Sequence, residues 1–216
     1  MDSDRISILT WEAPHRLWHW LLAVCVCVSL YTGLDGDIDA MDLHIASGVT
    51  IIALLLYRLG WAIWGGRYVR FAQYRTSPAA VLRHFRGIGN RDNAHSAPGA
   101  AMAIAMFLAV TVQACSGLFA SDDIVTEGPF AHLLSSSGVA IATWIHVRMF
   151  WVVIGLAVTH VAALAWYAWH GEPIARSMVS GLTVIPQRAI LRHYWIRAIF
   201  TALAAAAIVW LGSRWA

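Results

Sequence analysis

The stretch SGVAIATWIHVRMFWVVIGLAVTHVAALAWYAW, residues 137–169, decides the fold of this chain. It is almost entirely apolar and contains two histidines, His146 and His160, which lie fourteen residues apart. Fourteen residues of an α-helix turn through about 1400°, about 40° short of four full turns, so both imidazoles leave the same face. They are separated by about 21 Å along the helix axis. Because the hydrocarbon core of a bilayer is about 30 Å thick, one spanning helix would place a histidine towards each side.

The composition indicates an integral membrane protein. Hydrophobic residues make up 59% of the 216 residues, charged residues make up 12%, and the mean hydropathy is +0.62. Soluble domains carry about twice that fraction of charged residues. The net charge of +3 is therefore not interpreted as nucleic-acid binding, and no nucleic-acid partner is expected. The polar, acidic start of the chain (residues 1–5) predicts that the first apolar segment is a retained helix and not a cleaved signal peptide.

Five apolar segments are long enough to cross a bilayer. We predict an all-α integral membrane fold in which the first four helices form a bundle and the fifth is an additional C-terminal transmembrane helix. The corresponding division is a core over residues 1–171 and a C-terminal segment over residues 172–216. The predicted spans are Leu17–Leu34, Leu43–Trp64, Ala100–Phe119, Gly138–Trp169 and Tyr194–Leu211.

The loops between these spans alternate in charge. Residues 35–42 include four aspartates and residues 120–137 include three acids, and neither loop contains a base. Residues 65–98 contain six arginines and residues 171–193 contain three. Loops rich in arginine are retained in the cytoplasm, so this pattern predicts a cytoplasmic N-terminus and a C-terminus on the outer side. The loop over residues 65–98 is the largest predicted cytoplasmic feature and a candidate docking surface.

This topology assigns a depth to four histidines. His19 begins the first span near the cytoplasmic face, whereas His44 begins the second span near the outer face. The fourth span begins outside, so His146 is its outer histidine and His160 its inner one. The depths therefore pair His44 with His146 and His19 with His160. A histidine buried in lipid needs a partner, and two pairs at two depths are what two stacked haems in a bundle require. Two imidazoles on one iron leave no open coordination position, which favours electron transfer.

Small residues and arginines supply further candidate contacts to the haems. Gly48 lies one turn after His44 on the same face, where a flat haem would pass close to the backbone. Arg58 lies fourteen residues after His44, at the depth of the inner pair, and an arginine inside a span is costly unless it is paired. We assign it to an inner haem propionate or to a quinone headgroup, and we assign Arg148 to the outer haem in the same way. The other glycines at which we expect close approach are Gly33, Gly117 and Gly155.

The remaining histidines are less favoured as haem ligands. His15 shares a face with His19, but His19 lies deeper in the span and is preferred. His132 precedes His146 by fourteen residues, but the sequence SSSG at residues 135–138 breaks a helix between them, so His132 is expected in an outer loop. The others are placed at membrane borders (His170, His193), in the arginine loop (His84) or at the entry of the third span as a cap or quinone-side group (His95).

Three cysteines, Cys25, Cys27 and Cys115, lie within apolar segments. The chain contains no C-x-x-C-H sequence, so covalent c-type attachment of haem is not indicated.

At these residues the sequence resembles the prokaryotic cytochrome b561 family, which includes cytochrome b subunits of nickel-iron hydrogenases and related subunits of formate dehydrogenases. The resemblance covers residues 10–171. Residues 93–99, NAHSAPG, are similar to a variant of the Gly-His-Asn-Pro motif of hydrogenase-type members, with serine in place of asparagine and an inserted alanine. The motifs that carry the resemblance are RLWHW (16–20), HIASG (44–48) followed by Arg58 and Trp61, and the segment from His146 through VIGL (153–156) to His160.

The resemblance implies a four-helix bundle in which the positions of His19, His44, His146 and His160 ligate two b haems. It also implies an electron-transfer subunit of a respiratory chain in the bacterial inner membrane. Its partners would be quinone and a hydrogenase, a formate or other dehydrogenase, or a c-type cytochrome. The sequence contains no recognisable iron–sulfur, molybdenum or nickel site, so substrate chemistry is expected on another chain.

Two other classes of protein stay open at this point. The first is a stand-alone, quinone-coupled oxidoreductase that acts on a small oxidant such as superoxide, although acidic outer loops would repel an anion. The second is a haem-free membrane protein whose histidines bind a transition metal. The absorption spectrum of the purified protein separates this last class from a cytochrome.

Overall fold

The structure is a computed structural model that describes residues 6–9, 11–74, 76–86, 96–172, 174–185 and 194–214. Five of its helices are long and apolar enough to cross a membrane, and they confirm the five predicted spans. Two of the residues discussed above, His95 and His193, lie outside the described part of the chain. In order, the elements are β1 Ile6–Leu9, α1 Ala13–Asp35, α2 Ile38–Trp64, α3 Pro78–Phe85, α4 Ala97–Gly117, α5 Ser136–Trp169, α6 Ala175–Ser180, β2 Leu182–Ile185 and α7 Trp195–Ser213.

The ends of the long helices follow from local capping chemistry. Gly36, at φ 66°, ends α1, and α2 begins only two residues later because the Asp37 carboxylate accepts a hydrogen bond from the Asp39 N–H at 3.2 Å. Glycine tolerates this left-handed backbone conformation without steric cost. The hydroxyl of Ser135 accepts a hydrogen bond from the Gly138 N–H at 3.3 Å and caps α5. The predicted break between His132 and His146 is therefore present.

The membrane helices pack as two close pairs, α1 with α2 and α4 with α5, which meet through α2 and α4. The described parts of the segments 65–96 and 170–194 lie at one end of the bundle, which we call the arginine end. Residues 36–37 and 118–135 connect the helices at the opposite end, which we call the acid end. The described arginine-rich segments and the acidic segments therefore lie at opposite ends of the folded bundle.

A two-stranded sheet at the arginine end is the main departure from an all-helical chain. Strands β1 and β2 pair antiparallel, with Ile6 opposite Ile185. The Trp20 indole N–H donates to the Met178 carbonyl at 3.2 Å, and the Trp11 N–H donates to the Gly181 carbonyl at 3.1 Å. These contacts tie the C-terminal segment to the start of α1. The sequence analysis missed the sheet because each strand has four residues and their partners lie far apart in the chain.

The fifth membrane helix, α7, packs against α2 through small side chains. Its buried residues are Ala198, Thr201 and Ala205, which recur on one face. The Trp64 indole N–H donates to the Thr201 hydroxyl at 2.9 Å, and Arg197 donates to the Trp64 carbonyl at 3.0 Å. The helix is therefore fixed to the bundle by close backbone approach and by hydrogen bonds.

Replacing Gly60 with alanine is expected to loosen α7 from α2. A Cβ atom at this position would lie 2.7 Å from the Thr201 Cγ2 atom, so the helices must move apart. We expect the free energy of unfolding in detergent to fall by roughly 1–3 kcal/mol, as measured by tryptophan fluorescence. Gly212→Ala is the matched control, because its Cβ would meet only the Phe130 Cζ atom at 3.7 Å. Equal stability of the two variants would contradict the prediction.

Candidate haem centres

At the acid end, the structure brings together the two histidines that the depth argument paired. The ring centroids of His44 on α2 and His146 on α5 are 6.0 Å apart, and the ring planes are perpendicular at 87°. Metal–nitrogen bonds of about 2 Å place the centroids of two axial imidazoles about 6 Å apart. The spacing of this acid-end pair therefore fits two ligands of one iron.

Hydrogen bonds orient both imidazoles of the acid-end pair. The Nδ1 atom of His44 lies 3.0 Å from the Ser29 carbonyl oxygen and 3.3 Å from the Thr32 hydroxyl. The Nδ1 atom of His146 lies 2.9 Å from the Gln113 carbonyl oxygen. A carbonyl oxygen only accepts, so each Nδ1 carries the proton and each Nε2 keeps its lone pair. This is the arrangement in which histidine binds a metal, with its second nitrogen held by a carbonyl.

The side-chain amide of Gln113 also touches the ring of His146. Its nitrogen lies 3.3 Å from Nδ1 and 3.4 Å from Nε2. Because it is nearly equidistant from the two nitrogens, it does not lie along the Nε2 lone pair. The position used for coordination is therefore left open by Gln113.

Glycines make room for these rings and for a flat ligand. A Cβ atom on Gly117 would lie 2.7 Å from the His146 Cε1 atom, and one on Gly33 would lie 3.0 Å from the His44 Cε1 atom. These two glycines therefore accommodate the imidazoles, whereas we had expected them at the edge of a haem. A Cβ atom on Gly48 would meet no other atom within 4 Å, so the helix surface beside the acid-end pair is open there.

The second pair predicted from depth, His19 and His160, lies towards the arginine end, and we call it the arginine-end pair. The two side chains are half-buried. The Nδ1 atom of His19 is buried, and no described residue offers it a hydrogen bond. Buried polar atoms normally have a hydrogen-bond partner. An imidazole nitrogen that has none among the described residues fits a site in which a bound group lies beside the ring. The residues at this end therefore also fit a haem.

An apolar layer separates the two pairs. Val153 lies seven residues from both histidines of α5 and is buried among residues of the other bundle helices. This apolar layer lies at a depth between the two predicted histidine pairs. The buried members of the layer are Ile51, Leu55, Ala109, Val110 and Val153.

Arg58 is buried at the arginine end, with 2% of its surface exposed. Its Nη2 atom donates to the Val69 carbonyl and to the Tyr74 hydroxyl, both at 2.9 Å, and its guanidinium lies 4.5 Å from the centre of the Phe71 ring. Its Nη1 atom is buried, and no acceptor in the described part of the chain takes a hydrogen bond from it. One side of the guanidinium is therefore held by the loop after α2, and the other side can still donate.

Arg148 lies in a different setting from the one the sequence suggested. It is exposed, and its guanidinium stacks 4.1 Å from the centre of the Trp144 ring on the same helix. Two residues after His146, it leaves the helix about 200° further round. The geometry gives no support to a contact between Arg148 and a haem held by His146.

The histidines that were not preferred as ligands, His15, His132 and His84, have different contacts. His15 is 3% exposed and is stacked between Trp11 and Trp18, with ring centroids 5.4 and 5.2 Å away. His132 lies exposed in the loop before α5. His84 on α3 lies 3.1 Å from the hydroxyl of Tyr167, a contact that joins the arginine loop to the end of α5.

The sequence analysis missed the residues that orient the acid-end rings, Ser29, Thr32 and Gln113. Two of the contacts use backbone carbonyls, which leave no trace in side-chain identity. Gln113 did offer a signal, because a polar amide inside an apolar span is costly and needs a partner.

The chain is similar to known proteins over most of its length. The family model described as prokaryotic cytochrome b561 matches residues 10–181. An Escherichia coli (strain K12) protein named "Probable Ni/Fe-hydrogenase 1 B-type cytochrome subunit" is 31% identical over 81 residues, which cover 30% of this chain and 34% of that protein. The matched part of the chain thus spans about a third of that relative's length. A Rhodobacter capsulatus protein named "Probable Ni/Fe-hydrogenase B-type cytochrome subunit" is 23% identical over 214 residues, with 82% of this chain and 81% of that protein covered.

The family match includes all four candidate ligands and most of the chain, and it confirms the resemblance found from the motifs. Five apolar helices and this match identify a multi-pass membrane protein of a cytochrome family. The chain belongs to the prokaryotic cytochrome b561 family.

Proposed function

We propose that the chain is a dihaem b-type cytochrome that transfers electrons between quinone and a partner redox protein. The observation that carries the proposal is the acid-end pair, with centroids 6.0 Å apart and both Nδ1 atoms held by backbone carbonyls. His44 and His146 would hold one haem, and His19 and His160 the other. When bound, each haem supplies a reversible one-electron centre without an open coordination position.

The protein's own residues supply position and environment for this chemistry. The carbonyls of Ser29 and Gln113 hold the acid-end rings in a single tautomer. The apolar layer around Val153 keeps water from the space between the pairs and holds them apart. The buried Nη1 atom of Arg58, which has no hydrogen-bond partner among the described residues, supports a contact with a haem propionate or a quinone headgroup at the arginine end.

The names of the relatives support a hydrogenase as the partner, because both describe B-type cytochrome subunits of Ni/Fe hydrogenases. A dehydrogenase or a c-type cytochrome is the alternative partner. The arginine loops support an inner-membrane orientation with the N-terminus in the cytoplasm and the C-terminus in the periplasm. In this arrangement quinone would react at the arginine end. The division into a core over residues 1–171 and a C-terminal segment over residues 172–216 also stays a prediction.

Protein produced with sufficient haem is expected to contain two b haems per chain. The measurements are a dithionite-reduced minus oxidised spectrum and a pyridine haemochrome assay on the purified protein. A quinone analogue is expected to shift the midpoint potential of the arginine-end haem only. Colourless protein would exclude the cytochrome function, and one haem per chain would exclude the dihaem arrangement.

A further inference from the structure

Glu12, immediately before α1, is a buried carboxyl group at the arginine end. Its side chain is 3% exposed, and it receives a hydrogen bond from the Gly66 N–H. The carboxyl packs so closely on Gly66 that a Cβ atom there would overlap the Glu12 Oε1 atom. The Oε2 atom is buried, and it has no hydrogen-bond partner within the described residues. One half of the carboxyl is therefore fixed, and the other half is free to carry a proton.

Charged and titratable groups on α2, on α7 and in the loop after α2 act on Glu12. Burial raises the pKa of Glu12 to about 7, although the Gly66 N–H and the guanidinium groups of Arg197 and Arg70 favour its ionised form. Helix α2 contributes Tyr57, which feels the charges of both Glu12 and Arg58. His15 lies three residues further along the chain from Glu12. The carboxyl can therefore change its protonation near neutral pH.

Glu12 immediately precedes α1, and its carbonyl accepts a hydrogen bond from the Arg16 N–H at 3.1 Å in the first turn of the helix. His19 lies seven residues after Glu12, about 10 Å further along the helix axis. Between Glu12 and His19 in the chain lies His15, which is buried and stacked between the Trp11 and Trp18 rings. Through such a buried, aromatic region, a charge on Glu12 is weakly screened and acts on the site of His19.

We propose that Glu12 takes up a proton when the haem site at His19 is reduced and releases it on oxidation, so that pH sets the potential of that haem. This inference rests on the proposed dihaem function. The electron comes from the redox partner or from quinol, and the proton comes from water at the arginine end. The carboxylate gains one O–H bond on reduction and loses it on oxidation, and the added positive charge offsets the added electron.

The size of the effect follows from the distance. Two unit charges about 10 Å apart shift each other's pKa by about one unit at an effective dielectric constant of about 20. One unit is a tenfold change in an equilibrium constant, which is about 59 mV for a one-electron couple. Below both pKa values Glu12 is neutral in both redox states and the potential does not change with pH. Above both it is ionised in both states, and the potential is lower by about 59 mV.

The test is a set of redox titrations of the intact haem-loaded protein from about pH 5 to about pH 10. In the wild type, the potential of the arginine-end haem, identified as the one lost in His160→Ala, is expected to fall with rising pH by about 59 mV. In Glu12→Gln it is expected to stay at the low-pH value of the wild type at every pH. Glu172→Gln is the matched control, because Glu172 is an exposed carboxylate at the same end and its loss should leave the pH dependence intact.

Infrared difference spectra between the reduced and oxidised wild type provide a second measurement, and its main result does not depend on a variant that folds. A protonated carboxyl C=O band is expected to grow on reduction within the pH range where the potential changes, and to be lost in Glu12→Gln where that variant folds. Two bound haems with a pH-independent potential, or a pH dependence that persists in Glu12→Gln, would overturn this inference alone. Absence of the second haem would overturn the proposed function instead.

Discussion

Replacing His146 with alanine is expected to remove one haem and leave the other in place. The variant deletes one of two imidazoles whose centroids are 6.0 Å apart, and His44 alone does not hold an iron with the same affinity. His160→Ala is expected to remove the other haem, because the apolar layer separates the two sites. In each variant the haem content should fall to about half, as measured by the pyridine haemochrome assay.

Potentiometric titration distinguishes the two variants. Each should lose a different component of the redox titration of the wild type, and the remaining component should keep its midpoint potential approximately. His132→Ala is the matched control, because His132 lies fourteen residues before His146 but is exposed in the loop. Loss of the same component in both variants would show that the pairing by depth is wrong.

Replacing Gly117 with valine is expected to remove the acid-end haem without touching a ligand. The new Cβ atom would lie 2.7 Å from the His146 Cε1 atom, so the ring has to move. That movement breaks the hydrogen bond of 2.9 Å to the Gln113 carbonyl and turns Nε2 away from the partner imidazole. We expect haem content to fall to about half, with the loss confined to the component that His146→Ala removes.

The control for this substitution is Gly212→Val. Gly212 lies near the end of α7, as Gly117 lies at the end of α4, and its Cβ would meet only Phe130 at 3.7 Å. This control should keep two haems. Haem loss in Gly117→Val would then come from displacement of the His146 ring and not from a general effect of valine at a helix end. Full haem content in Gly117→Val would mean that His146 does not bind from the observed position.

Much of the fold was predictable because a bilayer imposes strong constraints on sequence. Spans need long apolar runs, since backbone polar groups in lipid must be satisfied within the helix. The five spans were therefore found with small errors at their ends. Those errors came from caps: the Asp37 carboxylate starts α2 five residues before the predicted Leu43. The small sheet of β1 and β2 was missed because it depends on pairing between distant segments.

The candidate site was predictable to a lesser degree. The fourteen-residue gap between His146 and His160 places two imidazoles on one face, and helical geometry alone gives that result. The pairing of His44 with His146 needed only the alternation of loop charge, and the structure brings these rings together. The role suggested for Arg148 found no support, because its depth was considered but its angular position on the helix was not.

The sequence by itself determined that the chain spans a membrane five times and carries histidines at two depths, because apolar length and helical period are local properties. Only the tertiary structure decided which groups hold the rings and which polar groups are left buried. The Ser29 and Gln113 carbonyls and the close packing of Glu12 on Gly66 arise where separate helices and loops meet. Such contacts depend on the distance between segments that are far apart in the chain, and residue identity does not encode that distance directly.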